Sequence, residues 1–279
     1  MTMLSINTNV GALQAARSSY SVNKSMEQSM ERLASGKRVN GAADDAAGLA
    51  IATRLNAEIN GINQGIRNAS DAQGMLAVAE GALEQVHALL LRMRELAVQS
   101  ANETNSSADR HHLQTEVAQL EAEIQRVVDD TTWAGITLLA GGFTSGATFQ
   151  IGPRNTDTIQ ISISAIEPLS SVGDGGLNLN NHVSTQDNAM AYIATIDGAI
   201  SIISEDRGKY GATMNRLDHA MANLQNVATN LAVAKGRIMD ADFAAESSNL
   251  ARTQVLQQAS MAMLAQANAS KQNILSLFQ

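Results

Sequence analysis

Between Met190 and Ile238, apolar residues recur in steps of three and four. The positions are Met190, Ile193, Asp197, Ile200, Ile203, Arg207, Tyr210, Met214, Leu217, Met221, Leu224, Ala228, Leu231, Lys235 and Ile238, and twelve of the fifteen are apolar or alanine. A repeat near 3.5 residues held over such a length describes a coiled-coil seam rather than the broad stripe of a globular surface helix. One helix through it would run about 70 Å. The chain has little with which to interrupt such helices, because its only prolines are Pro153 and Pro168, and proline is the strongest helix breaker. Just 3% of the 279 residues are aromatic while 44% are hydrophobic, a composition that fills narrow seams between helices better than one thick core.

The same spacing runs through Ile59, Ile62, Ile66, Ala69, Gln73, Leu76, Leu83, Leu90, Met93 and Ala97, so a second long helix is expected from about Asp44 to about Asn102. Turn and cap residues follow from Asn102 to Asp109, where Ser106 and Asp109 have capping-box spacing. A third helix should begin there, with Leu113, Val117, Leu120, Ile124 and Val127 as its seam, folded back antiparallel on the second. From Thr131 to about Asn181 the chain holds both prolines and eight of its twenty glycines. In that interval Phe149 and Ile151, then Ile159, Ile161 and Ile163, alternate with polar neighbours around Pro153–Asp157, the pattern of a half-exposed β-hairpin. Ser170–Gly176 reads as a loop returning the chain to helix.

Each end of the chain carries an amphipathic stripe: Val22, Met26, Met30 and Leu33 near the start, and Leu256, Ser260, Met263, Ala267, Ser270, Ile274 and Leu277 near the finish. Neither end can hide its stripe alone, so the two are expected to pair with one another or with other copies of the chain. In isolation, about Met1–Gly41 and about Lys235–Gln279 are expected to be disordered. The expected fold is mainly α, with long coiled-coil-like antiparallel helices, one small β-hairpin region, and both termini forming a paired helical domain. Residues 1–43 and 236–279 are the two halves of that terminal domain; residues 44–180 and 181–235 form the other.

The residues offer no enzyme constellation. A net charge of −8 removes the attraction on which non-specific nucleic-acid binding depends. With no cysteine there is no disulfide framework or thiolate metal site. No unbroken apolar run reaches the roughly 18 residues of a membrane span, and the first nine residues lack the basic start and apolar stretch of a secretory signal. A membrane partner is not expected, and export should use a route without a cleaved signal. Gly36-Lys37-Arg38 lacks the spacing of a phosphate loop, Gly173–Gly176 leads into no βαβ unit, and His111-His112 places its rings on different sides of a helix. Asp44-Asp45 and Asp240-Ala241-Asp242 read as helix caps rather than as an acid–base pair or a calcium loop. No catalytic residue, cofactor or metal is expected.

Several sequence words carry a resemblance: Ile6–Asn9, Arg32–Asn40, Asp44–Gly48, Arg94–Asn102, Arg237–Phe243, Leu256–Ala259 and Met263–Asn268. Together, in this order, they resemble bacterial flagellin in a minimal form without variable outer domains. The resemblance implies a subunit that is exported unfolded by the flagellar type III apparatus and polymerises into the helical filament used for swimming. On this reading it is secreted, and its terminal helices order on assembly. The implied partners are further copies of the chain, an export chaperone at the C-terminus, and the filament cap and hook-filament junction proteins. A hook-filament junction protein or a minor flagellin is the alternative. The self-assembly seam would comprise Val22, Met26, Met30, Leu33, Leu256, Met263, Ala267, Ile274 and Leu277. The resemblance further implies that Arg92, Leu96 and Glu116 form a surface read by a flagellin-sensing Toll-like receptor of a host. Leu91 replaces a common family glutamine there, and Leu275–Gln279 departs from the usual leucine and arginine ending.

Overall fold

The computed structural model describes residues 8–166, 177, 179 and 183–276, the last six by their backbone alone. The expected loop at Ser170–Gly176 lies outside the described residues. The chain folds as α1 (Val10–Ser35), α2 (Ala46–Ser100), α3 (Ser107–Asp130), β1 (Thr132–Trp133), β2 (Ile136–Thr137), a kinked turn (Leu138–Gly142), β3 (Ala147–Gln150), β4 (Thr158–Ile161), α4 (Gln186–Met239) and α5 (Phe243–Ser276). Two compact units result, one of Met1–Ile59 with Thr229–Gln279 and the other of Asn60–Ala228, so the division falls within α2 and α4 rather than at residues 43/44 and 235/236.

In the unit of Asn60–Ala228, the inward positions of α2 are Ile62, Gly65, Ala69, Ala72, Leu76, Ala79, Leu83, Val86, Leu90, Met93, Ala97 and Ser100, all buried. They keep an unbroken three–four alternation, so one side of the helix faces the core for its whole length. Ile66 and Gln73, expected in this seam, are only half-buried, and their places are taken by Gly65 and Ala72. The cause is the hairpin. A Cβ on Gly65 would overlap the Ile151 carbonyl, and one on Gly61 would lie 2.8 Å from Pro153 Cβ. The turn after β3 therefore rests directly on the helix backbone, where the Asn68 side-chain amide donates to the Gln150 carbonyl at 2.7 Å.

Strand β3 pairs antiparallel with β4, with Ala147 opposite Ile161 and Phe149 opposite Ile159. Ile159 and Ile161 face inward and are buried, as the alternation requires. The smaller hairpin of β1 and β2 has no expectation behind it. Its tight turn places Ala134 at φ 50° and Gly135 at φ 83°, the positive pair that two-residue hairpin turns need.

Helix α3 opens with a complete capping box: Ser106 accepts from the Asp109 N–H and the Asp109 carboxylate accepts from the Ser106 N–H. It runs antiparallel to α2, and Arg110 donates from Nε to the Ser100 carbonyl at 2.8 Å and from Nη2 to the Asn102 carbonyl at 2.9 Å. That cation closes the open C-terminal end of α2. Helix α4 also runs antiparallel to α2, tied by Arg207 to Glu80 at 2.7 Å and Arg94 to Asp197 at 2.6 Å.

The seam of α4 corrects the expected register. Before Ile203 its inward residues are Ala189, Tyr192, Ile196 and Ala199, whereas Met190 and Asp197 are exposed. After Ile203 the buried Asp206 takes the place expected of Arg207, which is only half-buried, and from Tyr210 onward the expected positions hold, with Tyr210 and Leu217 buried. The Tyr192 hydroxyl fixes the phase by donating to Glu121 of α3 at 2.8 Å.

By length and composition α2 is apolar enough to cross a membrane, with an 18-residue window of mean hydropathy 1.2. A search for unbroken apolar runs misses it, because alanine, glycine and isolated charges space out the large residues. Here the apolar side of the helix forms the buried seam of the unit.

In the unit of the two termini, two turns are clasped together. The Arg38 N–H donates to the Met239 carbonyl at 2.6 Å and the Ala241 N–H to the Gly36 carbonyl at 3.0 Å, around an antiparallel bridge of Lys37 with Asp240. Gly36, at φ 68°, ends α1 in the left-handed conformation that turns the chain into this clasp. Of the aspartates beside it, Asp45 and Asp242 act as helix caps as expected, whereas Asp44 instead ties the loop that precedes α2. Asp45 accepts from the Gly48 N–H at 2.8 Å, Asp44 from the Asn40 and Gly41 N–H groups, and Asp242 from Ala244 and Ala245 at the start of α5.

The close approach at Gly65 and the open space at Gly81 give opposite expectations for one substitution. Gly65→Ala should destabilise the unit by about 1–3 kcal/mol through overpacking, and Gly81→Ala should stabilise it by up to about 1 kcal/mol through helix propensity. Urea midpoints of the two variants check the signs. Backbone N–H donors hold the Asp44 and Asp45 carboxyls below the ordinary 3.8. A carboxyl whose pKa is lower folded than unfolded stabilises fully above its ordinary value, and the contribution fades as pH falls through the folded value. Helical ellipticity of the terminal unit should therefore fall below about pH 4, and Asp44→Asn with Asp45→Asn should flatten that acid limb.

Candidate assembly surface

Helices α1 and α5 pair antiparallel, so each of these helices has an intrachain partner. Contacts mark the register. Asn9, which caps α1, donates from Nδ2 to the Ala267 carbonyl at 3.1 Å; Gln257 donates to Asn23 at 2.8 Å; Arg32 faces Glu246 at 3.7 Å. The inward side of α5 is Glu246, Leu250, Thr253, Gln257, Ser260, Leu264 and Ala267, and that of α1 is Ala12, Ala15, Ser19, Val22, Met26, Ser29 and Leu33. Both keep the heptad step, yet most of these side chains are small or polar.

The expected seam is thereby divided. Val22, Met26 and Leu33 are half-buried against α5, and Ala267 is half-buried against α1. Met30 is 43% exposed, Leu256 46% and Met263 66%. One residue on, Gln257 and Leu264 take the inward positions, a rotation of about 100°. The side chain of Ile274 and all of Leu277 lie outside the described residues. At 100° per residue, Leu256 and Met263 flank the intrachain seam on one side and Met261 flanks it on the other, while Val255 lies on the face opposite the seam. Val255 and Met261 are likewise exposed, as are Leu13 and Tyr20 on α1. Between the helices lies a groove floored by Gly11, Ala15, Ser18, Ser260 and Ala267 with Met263 on its wall. The arrangement joins a weak internal seam to large apolar side chains that the unit itself leaves in water.

On the other unit, Arg92 lies across α2 and α3, donating to Glu116 at 2.7 Å and to Glu95 at 3.0 Å. These bonds hold its pKa above the ordinary value, Glu116 contributing first. Arg92 and Glu116 form one exposed polar patch with Leu91 beside it. Leu96 does not belong to that patch. It is 1% exposed and sits in the core, because α2 turns it toward the buried Met93 and Ala97. His111 and His112 are exposed, with ring centroids 6.5 Å apart and planes tilted by 55°. Among the described residues, no three metal-ligating side chains converge.

The family model of the bacterial flagellin N-terminal helical region matches residues 6–144, and that of the flagellin C-terminal helical region matches residues 193–278. A flagellin of Halalkalibacterium halodurans is 40% identical over 98% of this chain and 99% of its own length. The crystal structure of a Bacillus cereus flagellin, 31% identical, superposes with a TM-score of 0.50 over 61% of this chain and 94% of that one. A flagellar hook-associated protein of Vibrio parahaemolyticus, described as putative, is 17% identical, with a TM-score of 0.62 over 71% of this chain and all of that one, a likeness of fold alone. Two helical regions in sequence order, with a relative aligned end to end, establish that this chain belongs to the bacterial flagellin family.

Proposed function

We propose that the protein is the structural, non-enzymatic subunit of a flagellar filament, and that it polymerises through the outer flanks of α1 and α5. The observation that carries this is the exposure of Leu256, Met261 and Met263 beside an internal seam of small and polar residues. Large apolar side chains concentrated on two helices are a strong sign of a protein–protein surface. A subunit that meets its neighbour head to tail with a rotation that does not close grows into a helix. The limited apolar area of the α1–α5 seam also suits a subunit that crosses a narrow type III export channel unfolded, because little internal packing must be undone first. After export the protein is extracellular.

The export chaperone, which we place at the C-terminal part of α5, would cover the same flank before assembly and suppress early polymerisation. The filament cap and hook-filament junction proteins would meet it at the two ends of the polymer. The alternative of a junction protein has the fold likeness to a hook-associated protein in its favour, and growth of filaments from purified subunit alone separates the two. Removing residues 256–279 should abolish that growth while leaving the helicity of the unit Asn60–Ala228 intact. Leu256→Ser should raise the concentration needed for polymerisation about tenfold or more, given about 1.5–3 kcal/mol for full burial of a leucine. Light scattering and electron microscopy read both, and filaments from the truncated chain at the parent concentration would refute the surface.

The exposed pair of Arg92 and Glu116 supports a role in recognition by a flagellin-sensing Toll-like receptor, with Leu96 acting only as core beneath it. Arginine dominates interface hot spots through its planar set of donors. Arg92→Ala is expected to leave the thermal midpoint essentially unchanged, since exposed ion pairs contribute little, and to lower activation of receptor-expressing cells severalfold. Dose–response curves with monomer check this, and superimposable curves would assign the pair to α2–α3 packing alone.

A further inference from the structure

We infer that Met261 and Met263 form an oxidation-sensitive site that blocks incorporation of the free subunit into filaments, with a peroxide as oxidant. The inference rests on the assembly surface proposed above. The chain has no cysteine and twelve methionines, so thioethers are its oxidisable sulfur. Their exposure is far from uniform: Met75 and Met93 are fully buried in the core of one unit, Met30 is 43% exposed and Met190 51%, and Met261 at 57% and Met263 at 66% are the most exposed methionines among the described residues. The two residues flank opposite sides of the inward positions of α5, and Met263 also borders the groove between α1 and α5. An occupant on either flank, or in the groove, therefore meets a thioether.

The chemistry needs no cofactor. A sulfur lone pair attacks one oxygen of the peroxide, the O–O bond breaks, and the sulfur becomes a sulfoxide. Sulfur is oxidised by two electrons, and hydrogen peroxide leaves as water after proton transfer. The product turns a flexible apolar side chain into a polar, chiral one, and reductases specific for each sulfoxide epimer reverse it. On the outer flank the sulfoxide is hydrated at no cost, so the isolated fold tolerates it. Burial against a second copy would strip that water, and an unpaired polar group in an apolar interface opposes association. The positions within the α1–α5 seam nearby, Thr253, Gln257 and Ser260, already have partners inside the unit. Oxidation should thus act on free subunits, and assembly should protect the same sulfurs.

The test treats purified subunit and preformed filament with equal doses of hydrogen peroxide and locates sulfoxide by peptide mass spectrometry. Expected are high occupancy at Met261 and Met263 in the subunit, low occupancy in the filament, and an unchanged circular-dichroism spectrum. The critical concentration for polymerisation should rise about tenfold, and treatment with both classes of methionine sulfoxide reductase should reverse it. M261L with M263L is compared with its own untreated sample, and its ratio of treated to untreated polymerisation should stay near one. Oxidised parent that polymerises like untreated parent would overturn the inference, as would a variant that loses polymerisation on oxidation as the parent does. Should that variant not polymerise at all, reductase rescue of the oxidised parent decides the matter, because failure of rescue with sulfoxide removed also refutes it. Failure of the assembly reading is separate: it would appear without peroxide, as filaments from the chain lacking residues 256–279.

Discussion

Burial along a heptad seam is the interaction on which this protein depends, and its two units use it differently. In α2 the inward positions carry Ile62, Leu76, Leu83, Leu90 and Met93, and in α4 Tyr192, Ile196, Ile203 and Leu217. Each such side chain contributes about 1.5–3 kcal/mol when removed from water, which lets one unit close from inside its own chain. In α5 the same step lands on Glu246, Thr253, Gln257 and Ser260, where burial yields far less. The terminal helices still pair, through hydrogen bonds and the clasp of Gly36–Arg38 with Met239–Ala241, but several of their large apolar residues, Leu256 and Met263 among them, remain outside the pair. On the proposed function, assembly competence would follow from that deficit.

The apolar unit is also where the fold admits close backbone contact. Gly61 and Gly65, one helical turn apart, leave α2 without side chains where the turn carrying Ile151–Pro153 comes down. The hairpin can then present Ile159 and Ile161 to the helices. Glycine inside a helix weakens it by about 1 kcal/mol relative to alanine, and here the loss is offset by the packing it permits. Charge pairs at or near the surface add direction rather than much energy. Arg94 with Asp197, Arg207 with Glu80, and Arg92 with Glu116 lie at the edges of the seams and specify which helix faces which.

The same division of labour bears on chemistry at the surface. Methionine adapts its shape to a partner better than branched side chains do, which suits it to a contact made only on assembly. Its sulfur is also the atom most open to oxidation while that contact is unmade. Met261 and Met263 therefore combine two properties of one side chain, and burial in the polymer would decide which of them is expressed.

The sequence by itself determined the helices. Scarcity of proline, the long three–four repeats, the Ser106–Asp109 box and the alternation around Ile159 each act through neighbours a few residues away, so they are legible without a fold. Membership of the flagellin family was legible in the same way, as several words in order, and the expectation that large apolar residues at the ends lack cover within the chain rests on the same local pattern. Tertiary structure decided the phase of the seams. Where a three–four walk can pass through either of two neighbouring residues, as at Ala189–Met190, Gly65–Ile66 and Leu256–Gln257, the partner selects one: the Tyr192 hydroxyl reaches Glu121, the Ile151 carbonyl demands Gly65, and Gln257 finds Asn23. The same holds for Leu96, which shares a helix turn with exposed Arg92 yet is buried. Side-chain direction on a helix changes by about 100° per residue, so only a packed neighbour can say which of two adjacent residues meets the core and which is left for another molecule.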